Sequence, residues 1–365
     1  MTDYPEGALG APIRAHALQS WVCLMLLLCL LGCGSSGTAQ PLADGGSAGD
    51  GGASNADTGG KVDGGGGNAG ASAAGAPVVS SRIALGNSFG CVVDSDAKVA
   101  CWGAPSPDVG QAKAPLGSFV SLAALADTTC GVMSSGEVSC WGNVKGNAST
   151  PIPGGLLATN VDVGVGVQCG TTASQSLLCW GGAGALVGQA PAGSFRQVGV
   201  GLGFACALSV DGSLACWGSG AVGAAVAPTG IYTFLATGRL HSCALSTDGH
   251  AVCWGLGDAS STNDGTNGAW AQAVPPTDKK FVRLAAGLIT TCGILETRDI
   301  ECWGAGKTDA GCTTDDTCGQ AKPQTGPFVD LAVGYTNSCG ILASGKIKCW
   351  GSNTNGRSTP PRQFQ

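Results

Sequence analysis

The chain has 365 residues, with 63 Gly, 19 Cys, 9 Trp and only 12% charged residues. Few charges and abundant Trp and Cys exclude a charge-driven disordered protein and a coiled coil. A formal net charge of -6, from 18 basic and 24 acidic residues, argues against nucleic acid as a partner, which would need a basic face.

The first feature in chain order is an address. Residues 21–31 read WVCLMLLLCLL. That apolar run is too short to span a bilayer with ease and has the length of a signal-peptide core. It ends in Leu30-Leu31-Gly32-Cys33, which resembles the lipobox of bacterial lipoproteins. The resemblance implies cleavage after Gly32 and a diacylglyceryl group on the Cys33 thiol. A plain secretory signal and an uncleaved anchor are the competing readings. Gly34 in place of Asp implies, by the rule known for enteric bacteria, an outer-membrane lipoprotein facing the periplasm or the cell exterior. Its contact with the membrane would be through lipid alone, and several acyl chains hold where one binds reversibly. Residues 1–32 are thus expected to be a lipoprotein signal peptide. Residues 33–77 follow as the lipidated cysteine and a tether rich in Gly, Ala, Ser and Asp. The tether has no apolar periodicity and nothing to bury. A flexible chain of that length reaches about 40 Å.

The remainder, 78–365, is read from its cysteines. Cys23 and Cys29 lie in the signal core and Cys33 takes lipid, which leaves sixteen. Fourteen form seven C-x9-C pairs: Cys91/Cys101, Cys130/Cys140, Cys169/Cys179, Cys206/Cys216, Cys243/Cys253, Cys292/Cys302 and Cys339/Cys349. Trp-Gly follows the second cysteine of every pair, at steps of 39, 39, 37, 37, 49 and 47 residues. Such periodicity marks an internal repeat. In CALSVDGSLACW (206–217) polar and apolar residues alternate about Asp211-Gly212, a hairpin signal. A loop centred on Asp211 sets Leu208 opposite Leu214 and Cys206 opposite Cys216. The cysteines then face each other at the closer, non-hydrogen-bonded spacing, within reach of a disulfide. Seven hairpin staples follow, which require an oxidising compartment. Zinc would favour shorter knuckle spacings than these.

A short strand is predicted before each hairpin, as in FVSLAAL (119–125), FVRLAAG (281–287) and FVDLAVG (328–334), with looser copies at 81–86 and 159–166. The Gly/Asn/Ser/Pro-rich stretch after each CWG has room for a fourth, poorly signalled strand. Units of 37–49 residues with several strands suit the blades of an all-β, seven-bladed propeller. The seven Trp are expected to pack between blades. The fullest copy, ATGRLHSCALSTDGHAVCWG (236–255), resembles the repeat of the regulator-of-chromosome-condensation propeller family in its short, cysteine-bearing bacterial form. The resemblance covers about 79–365. It implies a seven-bladed propeller that binds other proteins. The family's founder is a nucleotide-exchange factor for a small GTPase, and a secreted bacterial relative inhibits a β-lactamase. No residue of this chain maps onto the functional loops of either. Phe364, in the terminal PPRQFQ, is read as the start of a strand that closes the ring on the first blade; closure by residues 79–86 is the alternative.

Function is sought where repeats differ. The connections 256–280 and 305–327 are about ten residues longer than the others and should be neighbours on one face. Trp270, on the first, lacks the packing reason that the repeat gives the other Trp, and is the candidate partner contact. The second holds Cys312 and Cys318, expected as an eighth disulfide, with Asp309, Asp315 and Asp316 as a weak calcium set. No EF-hand pattern is present, no cofactor is implied, and a solvated acidic loop is the default. His241 and His250 share a hairpin but are not opposed, so no Ser-His-Asp set follows from spacing. The expectation is a non-catalytic module that binds an envelope or extracellular protein. The alternatives are a glycan-binding module and a propeller glycosidase with two carboxylates facing each other in the channel.

Overall fold

The computed structural model describes residues 81–365 apart from 106, 144–150, 183, 220–222, 262–268 and 308–317. Cys33, the signal segment and the tether lie outside the described residues. So do Cys312, Asp309, Asp315 and Asp316.

Seven separate sheets are present, each a meander of three consecutive antiparallel strands. Each is a blade. The first, inner strands are Ile83–Leu85, Phe119–Leu125, Ala158–Val163, Phe195–Val200, Tyr232–Thr237, Phe281–Ala286 and Phe328–Val333. The middle strands are Phe89–Val93, Thr128–Met133, Val167–Thr172, Phe204–Ser209, His241–Ser246, Thr290–Leu295 and Asn337–Leu342. The outer strands are Val99–Gly103, Val138–Gly142, Leu177–Gly181, Leu214–Gly218, Ala251–Gly255, Ile300–Gly304 and Ile347–Gly351, each ending on the Gly of CWG. The chain is thus a seven-bladed propeller.

The hairpin register is the one read from Asp211-Gly212: Leu208 pairs with Leu214 and Cys206 with Cys216. All seven predicted hairpin pairs are disulfides. Cα–Cα separations are 4.0 Å for Cys91–Cys101, Cys130–Cys140, Cys206–Cys216, Cys243–Cys253 and Cys292–Cys302. They are 4.1 Å for Cys169–Cys179 and Cys339–Cys349. That is the close, non-hydrogen-bonded pairing. The two ends of a staple differ in one respect that the spacing did not foretell. The first cysteine, on the middle strand, is fully buried in every blade. The second lies on the outer strand, at the rim of its blade. Cys101, Cys140, Cys179, Cys216, Cys253 and Cys349 are accordingly half-buried, and Cys302 is buried.

Six inner strands carry a bulge after their first residue. The bulge turns the next side chain, Val120, Val282 or Val329 among them, out to solvent.

The apolar residues do not form one core. They form seven, and each lies between two blades. Blade 7 and blade 1 share one of them, where Ala332, Cys339, Ile341 and Ile347 meet Ile83, Leu85, Val92 and Trp102. Their contact closes the ring. Each Trp of the repeat is buried at such an interface, and five donate their indole N–H to a backbone carbonyl of the connection that enters their blade. The acceptors are Gln111 for Trp141 (3.1 Å), Leu186 for Trp217 (2.9 Å), Ala224 for Trp254 (3.0 Å), Gln272 for Trp303 (2.9 Å) and Gln320 for Trp350 (2.9 Å). This corrects the fourth-strand expectation. Among the described residues every sheet stops at three strands, and the following stretch instead brings a carbonyl to the next indole. The Gly after each Trp makes the departure possible, with φ between 90° and 119° in all seven.

For Trp102 the acceptor is Arg357, beyond the last blade (2.8 Å). The tail 352–365 therefore does for blade 1 what the connections do for the rest. The predicted closing strand at Phe364 is not formed. Arg362–Phe364 is a 3-10 turn, and Phe364 packs its ring on the blade 7/blade 1 core. Pro360 and Pro361 withhold the amide hydrogens that a strand would use.

Candidate interaction face

The inner strand of a propeller blade is a free sheet edge, with backbone groups that need partners. Here side chains of one blade supply them to the next. Asn160 Oδ1 accepts from Val198 N–H (3.1 Å), and Asp162 Oδ2 accepts from Val200 N–H (2.8 Å). Gln197 bonds both the N–H and the carbonyl of Leu235 (3.0 and 2.6 Å). Arg283 lies over the Phe234 ring, 5.6 Å from its centroid, and pairs with Asp330 at 2.9 Å. Asp330 in turn accepts from Arg82 N–H (2.6 Å) and Ser81 Oγ (3.1 Å). The result is a polar collar around the channel, continuous from blade 3 to blade 1. Among the described residues the collar carries two carboxylates, Asp162 and, in its ion pair with Arg283, the buried Asp330.

Burial dominates the titration of two groups. It raises the Asp162 carboxyl to about 7. It lowers His241, whose Nε2 lies 2.7 Å from Thr291 Oγ1, to about 4. Folding therefore favours the protonated carboxyl, a contribution present below pH 3.8 and lost as pH rises to 7. Folding also favours the neutral imidazole, so stability falls as pH drops from 6.5 to 4. The two slopes oppose each other in that window. Wild-type stability should be nearly flat from roughly pH 6.5 to 4.5. In D162N the His241 slope should stand alone, a loss of about 3 kcal/mol by pH 4. Urea midpoints across that range check this; a flat D162N profile would sink it.

The two mouths of the channel differ. One is ringed by the hairpin turns with Asp211 and Asp248. The other, the turn face, carries the turns between inner and middle strands. Outer strands also end there, since Gly255 pairs with His241 and Gly304 with Thr290. The long connections leave the sheets on the turn face: Leu256 N–H donates to the Leu240 carbonyl (3.0 Å) and Ala305 N–H to that of Ile289 (2.9 Å). The ordinary connections leave in the same way, with Gly182 N–H on the Gly166 carbonyl and Ser219 N–H on that of Gly203, and the inserted stretches 262–268 and 308–317 lie outside the described residues. Asp258 then forms a tight turn, accepting from Ser260 and Ser261. These bonds, that of the Ser260 hydroxyl first, hold its carboxyl below the usual range.

Trp270 is half-buried, and its backbone N–H donates to Gln272 Oε1 (2.7 Å). Gln272 is fully buried, and its carbonyl accepts from both Trp303 Nε1 and Thr291 Oγ1. The candidate contact residue is therefore fixed through its backbone to the blade 5/blade 6 interface. Cys318 is disulfide-bonded, and its expected partner, Cys312, lies outside the described residues. No group of His, Cys, Asp or Glu among the described residues could hold a metal ion.

Residues that the sequence reading passed over sit at the mouth of this face. Each blade contributes one, four positions before its first cysteine: Asn87, Ala126, Val165, Leu202, Arg239, Leu288 and Tyr335. The repeat register alone would have found them. The position is fixed, while the residue type changes from copy to copy and only Leu recurs.

Two stretches, 233–260 and 328–357, match the sequence profile of the Regulator of chromosome condensation (RCC1) repeat. The chain carries RCC1-type repeats folded as a propeller. No curated protein matches it by sequence. Among solved structures it is similar to the ectodomain of the receptor kinase CR4 from Physcomitrella patens (TM-score 0.59, 22% identity, covering 74% of this chain and 73% of that one). It is likewise similar to the CRINKLY WD40 ectodomain of the receptor kinase ACR4 from Arabidopsis thaliana (TM-score 0.56, 22% identity, 74% and 97%). At that identity the likeness is one of fold.

Proposed function

We propose that this chain is an exported, lipid-anchored envelope protein, held through Cys33 at a bacterial outer membrane, whose propeller is a non-catalytic protein-binding module. The observation that carries the reading is the asymmetry of the two faces. The turn-face mouth carries the one position per blade whose residue type changes from copy to copy, from Asn87 to Tyr335, with the apolar Leu288 and Tyr335 half-buried there. Variation concentrated on one face of a uniform scaffold is the pattern of a binding surface. The stapled hairpins support export, since they form in oxidising compartments.

The test is affinity capture from a native envelope extract. Wild type is compared with a turn-face variant, Leu288→Ser/Tyr335→Ser, and a hairpin-face variant, Val120→Ser/Val329→Ser. A defined protein held by wild type and by the hairpin-face variant, but lost from the turn-face variant, is the expected result. Equal capture by all three would refute the face assignment. No capture by folded wild type would move the reading to a glycan ligand, with a carbohydrate array as the next experiment.

A further inference from the structure

One buried imidazole is wired to the base of the first long connection. His241 opens the middle strand of blade 5 and is fully buried. Its Nε2 lies 2.7 Å from Thr291 Oγ1 on blade 6, and Thr291 donates its only hydroxyl proton to the Gln272 carbonyl, at 2.8 Å. Nε2 must therefore carry the imidazole hydrogen, which leaves Nδ1 as the bare nitrogen. Nδ1 is buried and has no partner. Gln272 in turn closes the connection. Its Oε1 accepts from Trp270 N–H (2.7 Å), its carbonyl also holds the Trp303 indole (2.9 Å), and the next residue, Ala273, donates to the Gly257 carbonyl (3.1 Å).

Acid must place its proton on Nδ1, where no acceptor stands. A Cβ on Gly238 would come within 2.9 Å of the imidazole Cε1, so the ring has little room to turn without leaving Thr291. The groups packed around it carry no charge: Gly238 on its own blade, Ala286, Gly287 and Thr291 on blade 6, and Ala224 on the connection that enters blade 5. Arg239, two residues back, lies at the channel mouth. Burial is the one cause that lowers the His241 pKa.

We propose that His241 is an acid switch on the base of this connection: its protonation breaks the relay through Thr291 and Gln272, frees Gly257 and Trp270 to Ala273 from the blade 5/blade 6 interface, and leaves the ring closed. The charged imidazole is relieved by water, and local opening costs less than opening the ring. The gain at Asp162 offsets the loss for the molecule as a whole. Trp270, the candidate partner contact, is what moves.

The neighbouring connection supplies an internal control. Gln320 makes the same closure: its Oε1 accepts from Cys318 N–H (2.6 Å), Ala321 donates to the Gly306 carbonyl (2.9 Å), and the Gln320 carbonyl accepts from Trp350 Nε1 (2.9 Å) and Ser338 Oγ (3.0 Å). In the place of His241, however, blade 6 has Thr290, which donates to the Ala305 carbonyl (2.9 Å). Of the residues at this position in the seven blades, from Phe89 to Asn337, His241 alone titrates.

Hydrogen exchange is followed on the full chain at about pH 6 and about pH 4, corrected for the intrinsic rate at each. Protection of the Trp270 and Ala273 amides should fall about tenfold or more between the two. That of Cys318 and Ala321 should change less than about twofold. In His241→Phe, the residue that Phe89 and Phe204 supply at this position, the fall should disappear. His241→Asn, after Asn337, makes the same comparison if the Phe variant does not fold, and the wild-type contrast between the two closures decides if neither does. Equal protection of Trp270 and Ala273 at both pH values overturns the proposal, as does a fall that survives in a folded variant. Loss of protection at Cys318 and Ala321 in step with Trp270 also overturns it, because the whole ring would then be loosening. The test needs no partner, so its failure leaves the binding reading untouched.

Discussion

Truncation after Ser352 is expected to open the ring and to lower Tm by about 10 °C or more. The tail does three things that nothing else in the fold replaces. The Arg357 carbonyl accepts from Trp102 Nε1 and from the Asn337 amide (3.1 Å). The Arg357 guanidinium donates to buried Thr336 Oγ1 (2.8 Å). Phe364 covers the blade 7/blade 1 core. Each buried polar group left without its partner costs about 1–3 kcal/mol. The lost apolar cover adds about 1 kcal/mol. Together these come to about 4–10 kcal/mol, a large share of the stability of a typical domain. Scanning calorimetry of the truncated and intact chains measures it, and a difference under about 2 °C would show that the tail does not latch the ring. A second comparison isolates the indole bond. Trp102→Phe at the closure and Trp217→Phe at an internal interface should be destabilised equally, within about 1 kcal/mol, if closure uses the same device as the internal interfaces.

The second large effect is reduction. Each disulfide closes a short loop and stabilises by about 3 kcal/mol in the chain-entropy account. Seven of them sum to about 20 kcal/mol, more than the roughly 5–15 kcal/mol of net stability usual for a folded domain. Full reduction should therefore unfold the propeller at 37 °C, seen as loss of near-ultraviolet dichroism and exposure of the buried Trp. Removing one pair, Cys206→Ala/Cys216→Ala, should lower stability by about 3 kcal/mol and leave a folded ring. Titrating thiols on the unfolded, unreduced protein gives the complementary count. More than a couple of free thiols would contradict the staples, and a reduced chain that stays folded would contradict their weight.

The fold could be read from the sequence because its determinants are local and repeated. A turn residue, an alternation of two and a cysteine at each end of the hairpin set the register of Cys206 on Cys216 without any long-range information. The same locality explains what could not be read. The segment after CWG has room for a strand on composition alone, because its Gly, Ala and Pro content gives no pattern. Its role is to deliver one backbone carbonyl, from Gln111, Gln272 or Arg357, and a carbonyl has no side-chain signature. Phe364 does belong with blade 1, as its place in the repeat suggests. Its backbone conformation, however, depends on Pro360 and Pro361 and on contacts with the far end of the chain. The candidate face was half legible. Insertion lengths pointed to adjacent blades, and Trp270 is tied through its backbone N–H to Gln272 at the blade 5/blade 6 interface. Arg239, Leu288 and Tyr335 escaped notice because they follow the repeat in position and break it in chemistry.

Among the described residues no blade borrows a strand from another. The first and last described segments nevertheless meet, with Ile83 and Phe364 in one cluster. The molecule is in effect a closed necklace whose clasp happens to fall between the seventh bead and the first. Joining the two ends with a short linker and cutting the chain between any other two blades should give the same ring in a rotated order. A repeat could also be added or lost without rewiring the remainder, because every bead carries its own stitching and meets its neighbours through one apolar face and a few inner-edge side chains.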